Sequence, residues 1–209
     1  MLKLTGQWQE AIKTTATMAR NAKVASDRAV RDEALLLVRM IHEVFVKQGA
    51  AGKKWAPISF MTRELRKNAS KAGKGSNFKG TKALIRSGSL RRSVTWERIE
   101  RGKYFVGVHR KAKGSDGKSM VNVAAVHETG TTLIPITEKM RRYFMFLFIK
   151  GAIPFMWPPK GKTFIVIRQR SFLASSWKEF SKKTKERTYA RWVNYMTGAG
   201  KIKTTKGGK

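Results

Sequence analysis

The sequence predicts an α+β fold, a small antiparallel sheet packed by one or two long helices, with extended loops and a disordered basic C-terminal tail. Three observations predict it. Apolar residues recur at helical spacing in two long stretches, Ala34–Gln48 and Ser171–Met196. Between them lie segments that alternate apolar and polar residues around a turn, the mark of a hairpin. Hydrophobic residues are 41% of the 209, enough for a core without disulfides or metals.

Taken in order, residues 1–33 read as a polar, helical N-terminal extension, with Asp32-Glu33 expected to pair with Arg28, Arg31 and Arg39 along the helix. Residues 34–196 read as the folded domain. Its first helix carries Ala34, Leu37, Val38, Ile41 and Phe45 on one face, starts near Asp27 or before, and stops at Gly49-Ala50-Ala51-Gly52. A short helix is expected over Thr62–Ser70, then a flexible loop over Lys71–Thr81. Ser93–Ile99 and Tyr104–Val108 form a hairpin about Glu100-Arg101-Gly102-Lys103. Arg110–Ser119 is a basic loop. Val121–Glu128 is a short helix ended by Gly130, and Thr131–Ile136 a short strand. Thr137-Glu138 opens a helix to Ile149. Thr163–Ile167 is apolar on both faces and reads as a central strand. Ser171–Met196 reads as one long helix. The tail, 197–209, holds four lysines and no acid, a composition that does not fold alone.

Charge and composition exclude several functions. With no cysteine there is no disulfide frame, thiolate metal site or cysteine nucleophile. No secretory h-region is seen at the N-terminus, and no apolar run is long enough to span a membrane, so no membrane partner is expected. Of the three histidines, His42 has no orienting partner and His109 lies beside Arg110 and Lys111. His127-Glu128 opens like a zinc-protease motif, but the position four after the histidine is Thr131. Asp116 adds no ligand spacing. The remaining acids are scattered, and no P-loop or nucleophile elbow is present. No catalytic residue, metal or cofactor is expected.

Forty-five Lys and Arg against thirteen acids give a net charge of +32. Such a chain calls for an anionic partner. The densest runs put Lys71, Lys74, Lys79 and Lys82 in one loop and Lys201, Lys203, Lys206 and Lys209 in the tail, as contacts to DNA or to acidic partner subunits. The aromatic stretch 143–157, with Tyr143, Phe144, Phe146, Phe148, Phe155 and Trp157, is expected either in the core or in a subunit interface.

Several short segments, in order, resemble a known family. Trp55-Ala56-Pro57-Ile58-Ser59 with Thr62, then Leu84 to Ser93 with Gly88 and Leu90, are similar to two segments of the phage virion morphogenesis proteins, the Mu-like tail-completion group. Phe105-Val106-Gly107 resembles that family's Val-Gly strand. Ala124 to Gly130, with His127, is similar to its A-x-x-H-x-x-G segment, and Ile167 to Leu173, with Arg170 and Phe172, to the entry into its last helix. Where the family has prolines there, this chain has Arg168 or Gln169 and Ser171. The resemblance implies a non-enzymatic protein of the virion neck or proximal tail, assembled in the host cytoplasm as a homo-oligomeric ring, a hexamer in its relatives' manner. The implied partners are a head connector or adaptor, a tail terminator or tail tube, and genomic DNA in the lumen. His127 would then pack or hydrogen-bond, and Arg170 would anchor a carboxylate. The alternative left open is a stand-alone nucleic-acid-binding protein.

Overall fold

A computed structural model describes residues 8–50, 52–71, 82–85, 87–114, 117–130 and 132–197. In chain order the elements are α1 (Trp8–Lys47), β1 (Gly49–Ala50), β2 (Lys53–Lys54), α2 (Phe60–Lys71), α3 (Ser89–Ser93), β3 (Val94–Glu100), β4 (Lys103–Val108), α4 (Met120–Glu128), β5 (Thr132–Pro135), α5 (Glu138–Ile149), β6 (Phe164–Ile167), α6 (Leu173–Ser181) and α7 (Thr184–Met196). The fold is α+β. The expected single sheet is instead three separate two-stranded ladders among the described residues, β1–β2, β3–β4 and β5–β6. Among the described residues the strand read as central, β6, pairs only with β5, from Thr132 opposite Ile167 to Pro135 opposite Phe164. Its side chains alternate exposed and half-buried.

The chain divides into two compact units. The first comprises 1–37, 96–106 and 180–209, and the second 38–95 and 107–179. The boundary falls inside α1, which runs unbroken through the position where an N-terminal extension was expected to end.

In the first unit, Ala25 and Ala29 of α1 are buried, and their small side chains permit close approach. Glu33 is buried too, but its partners are not the neighbours on its own helix. Arg187 of α7 donates to it from Nε and Nη2, at 3.1 and 3.0 Å to Oε2, and Arg191 Nε meets Oε1 at 2.8 Å. Asp32 takes the Tyr195 hydroxyl and lies 3.6 Å from Arg191. Burial of a carboxylate is tolerable only with such pairing. The C-terminal helix breaks at Lys182-Lys183, where the Phe180 carbonyl accepts the Thr184 hydroxyl at 2.9 Å and Arg187 Nη2 at 3.1 Å. The same guanidinium lies 4.6 Å from the Phe180 ring centroid.

Asp27 fastens the hairpin turn of this unit. Its Oδ1 accepts the Gly102 amide at 2.8 Å and the Tyr104 hydroxyl at 3.2 Å, and Arg98 lies 3.2 Å from Oδ2. The Gly102 amide is the main reason its carboxyl titrates below the usual aspartate value; burial opposes, and Tyr104, Arg98 and Arg101 add to the lowering. A depressed native pKa contributes stability that is fully present above the unfolded value of about 3.9 and is lost as pH falls through the native value. Asp27→Asn is therefore expected to cost about 1 kcal/mol at pH 7. It should also flatten the loss of Tm below about pH 4. Thermal melts across pH, wild type beside variant, check both.

In the second unit, Ile41, Val44 and Phe45 of α1 pack with Ile58, Met61, Leu90, Met120, Ile153 and Phe172 as the core. Phe45 lies 4.8 Å from the Phe172 ring and meets Trp55 edge-on at 5.9 Å. α1 ends at Lys47, one residue short of the expected Gln48. Gln48 takes a left-handed φ of 57°, and its amide donates to the carbonyls of Phe45 and Ala83 and accepts the Ala83 amide. Gly88, at φ 72°, turns the chain into α3, and a Cβ there would meet only Arg92 at 3.7 Å, so the backbone conformation rather than space selects glycine. Gly130, at φ 126°, follows α4 in a conformation beyond the left-handed helical region. Within the basic loop expected over Arg110–Ser119, Lys113 bridges Ser119 and the Gly114 amide bonds to Lys118 at 2.9 Å.

Candidate functional site

Three segments that are far apart in sequence meet in the second unit. Trp55 Nε1 donates to the Ser171 carbonyl at 3.2 Å. The Arg170 amide donates to the His127 carbonyl at 3.1 Å, and Gln169 Nε2 to the Glu128 carbonyl at 2.8 Å. Among the described residues Arg170 holds no carboxylate. Its guanidinium donates to the Ala56 carbonyl at 3.2 and 3.3 Å and to that of Pro57 at 3.4 Å, fastening the extended Trp55–Pro57 segment, which offers no acid.

The carboxylate that anchors this junction is Glu128, a residue to which the sequence assigned no structural role. It accepts the Ser171 hydroxyl and the amides of Phe172 and Leu173, each at 2.7 Å, and the Ala174 amide at 3.3 Å. Those amides open α6 and have no intrahelical partner. A negative charge at that end also meets the positive pole of the helix dipole. Local capping patterns cannot reveal such a partner, since Glu128 lies more than forty residues before the helix it caps.

His127 packs at the same junction. Burial, and secondarily Arg170, push its imidazole below the usual histidine range, with Glu128 opposing. Nδ1 is buried and has no hydrogen-bond partner. Burial and neighbouring Arg168 likewise lower the pKa of Arg170. Among the described residues no group of three or more histidines or acids could hold a metal ion.

Beside the junction lies an open groove of about 890 Å³. The start of α2, with Leu90 of α3, Met120 and Val123 of α4, the strand β6 and the segment around Phe155 and Trp157 form its walls. Phe60 and Phe155 stack at 5.4 Å across one part of it.

The aromatic stretch 143–157 is only partly covered. α5 buries none of its residues. Tyr143 is 56% exposed, Phe146 52% and Ile149 74%; Phe148 and Phe155 are also exposed. Phe144 and Trp157 are half-buried and meet edge-on at 4.5 Å. The ladder adds exposed Leu133, Phe164 and Val166.

Of the lysines expected to meet an anion, Lys82 is exposed, and its carbonyl accepts Arg66 at 2.8 Å. Lys71 is the last residue of α2, not the first of a loop. Lys74, Lys79, Lys201, Lys203, Lys206 and Lys209 lie outside the described residues. No described helix is long and apolar enough to cross a membrane. No family model, no curated protein and no solved structure matches this chain.

Proposed function

We propose that this protein is a structural component of a phage neck or tail-completion assembly. Copies of it form a ring that joins the DNA-filled head to the tail, with connector and tail proteins as axial neighbours. The observation that carries the reading is the uncovered apolar surface of α5. A helix with Tyr143, Phe146 and Ile149 open to water is better explained by a subunit contact than by a finished surface. The segments resembling the tail-completion family supply the rest. Three of them, around Trp55, His127 and Phe172, are held to one another by the hydrogen bonds described above.

The test is assembly. Phe146→Glu with Ile149→Glu is expected to convert a ring into monomers in native mass spectrometry, since two charges would enter a dry contact. Electron microscopy of lysates of the phage lacking this gene is expected to show separate full heads and tails. A monomeric wild type that binds DNA tightly, with steep salt dependence, would overturn the reading in favour of a stand-alone nucleic-acid binder.

A further inference from the structure

We propose that the groove of the second unit receives an extended, acidic segment of a different protein, with apolar side chains on the groove walls and carboxylates toward Lys162, Arg168 and Arg170. The inference does not depend on the ring reading, whose contact surface is α5.

Size and lining come first. About 890 Å³ accommodates several side chains of a bound segment. The walls carry aliphatic side chains, with Ile58, Met61, Val123 and Ile165 among them. Charge gives the sign of the occupant. Arg66, Lys162, Arg168 and Arg170 line the groove, and no carboxylate does so among the described residues. Arg66 and Arg170 are fixed by backbone carbonyls, so two of the four cations are already placed before a ligand arrives. The lowered pKa values of Arg170 and His127 point the same way, since an anion nearby would offset the burial and the cationic neighbours that lower them.

The occupant is not supplied by this chain. Outside the described residues, 1–7, 72–81 and 198–209 contain lysines and no acid, and Asp116 is a lone acid, so none has the composition of an acidic, apolar segment. A second copy carries the same net charge of +32. A nucleic acid would have the right sign, but its bases need open aromatic faces. The three aromatic residues that line the groove already have ring partners: Phe60 and Phe155 stack on one another at an interplanar angle of 24°, and Trp157 meets Phe144 edge-on.

The experiment is fluorescence anisotropy in physiological salt with a labelled peptide that alternates glutamate with leucine or phenylalanine. Its control alternates glutamate with serine and has the same charge. The apolar peptide is expected to bind about ten-fold tighter than the control, and Arg168→Glu to weaken it about ten-fold. Arg20→Glu, an equal charge change on an exposed part of α1, should alter binding by no more than about twofold. Lys162→Glu, also at an exposed position, is a second variant should Arg168→Glu disturb folding. Equal binding of the two peptides, or equal weakening by groove variants and Arg20→Glu, would overturn the proposal, because the attraction would then be net charge alone. Displacement of the apolar peptide by a single-stranded oligonucleotide that Arg168→Glu also weakens would overturn it too, and assign the groove to nucleic acid.

Discussion

Phe172→Ala is expected to destabilise the protein by about 4 kcal/mol, the usual cost of emptying a phenylalanine site in a closed core. Phe172 is fully buried against Phe45, and Phe45 in turn meets Trp55, so the lost ring leaves a void between the end of α1 and the start of α6. The backbone bond from the Phe172 amide to Glu128 survives the substitution, which isolates the packing contribution. Denaturant unfolding measures it. Phe155→Ala is the control: that ring is 44% exposed, and its loss should cost no more than about 1 kcal/mol. Equal effects from the two variants would mean that the Phe45–Phe172 cluster is not the core of its unit.

Glu128→Ala is the second large effect, about 3 kcal/mol, because four donors lose one charged acceptor at once. The donors lie partly within reach of water, which keeps the cost below the sum of four charged hydrogen bonds. Glu128→Gln retains one acceptor oxygen but turns an amide group toward amide donors, so it should cost roughly half as much. Hydrogen exchange separates this from a general loss of stability. The amides of Phe172, Leu173 and Ala174 should lose protection in the variant before the rest of α6 does. Unchanged protection at these three amides would show that water replaces the carboxylate without cost.

What could be read from the sequence was what depends on neighbours in the chain. The β3–β4 hairpin is announced by alternation on both sides of a turn containing Gly102, and α5 by Thr137, whose hydroxyl accepts the Met140 amide at 3.3 Å. What could not be read depends on partners far away. The break before α7 lies in Ser181-Lys182-Lys183-Thr184, which contains no helix breaker. It is stabilised by an arginine that also reaches Glu33, a residue 154 positions earlier. The run Phe164–Ile167 looked central because it is apolar on both faces. Apolarity records that a surface is to be covered, not by what, and β6 leaves Phe164 and Val166 open. The junction fared in between. Trp55, His127, Arg170 and Phe172 were singled out together, but Arg170 was expected on a carboxylate and Glu128 had no structural role, whereas the geometry joins each to backbone groups.

The acids of this chain are largely committed internally. Asp27, Asp32, Glu33, Glu43, Glu64, Glu100 and Glu138 each meet a lysine or arginine, and Glu128 caps a helix. Most of the excess positive charge must therefore be balanced by small anions from the medium. Any polyanionic or acidic surface that docks sets those ions free, and their gain in translational entropy drives the association. Assembly of such a chain is then governed by the ionic composition of its surroundings as much as by the shape of its contacts.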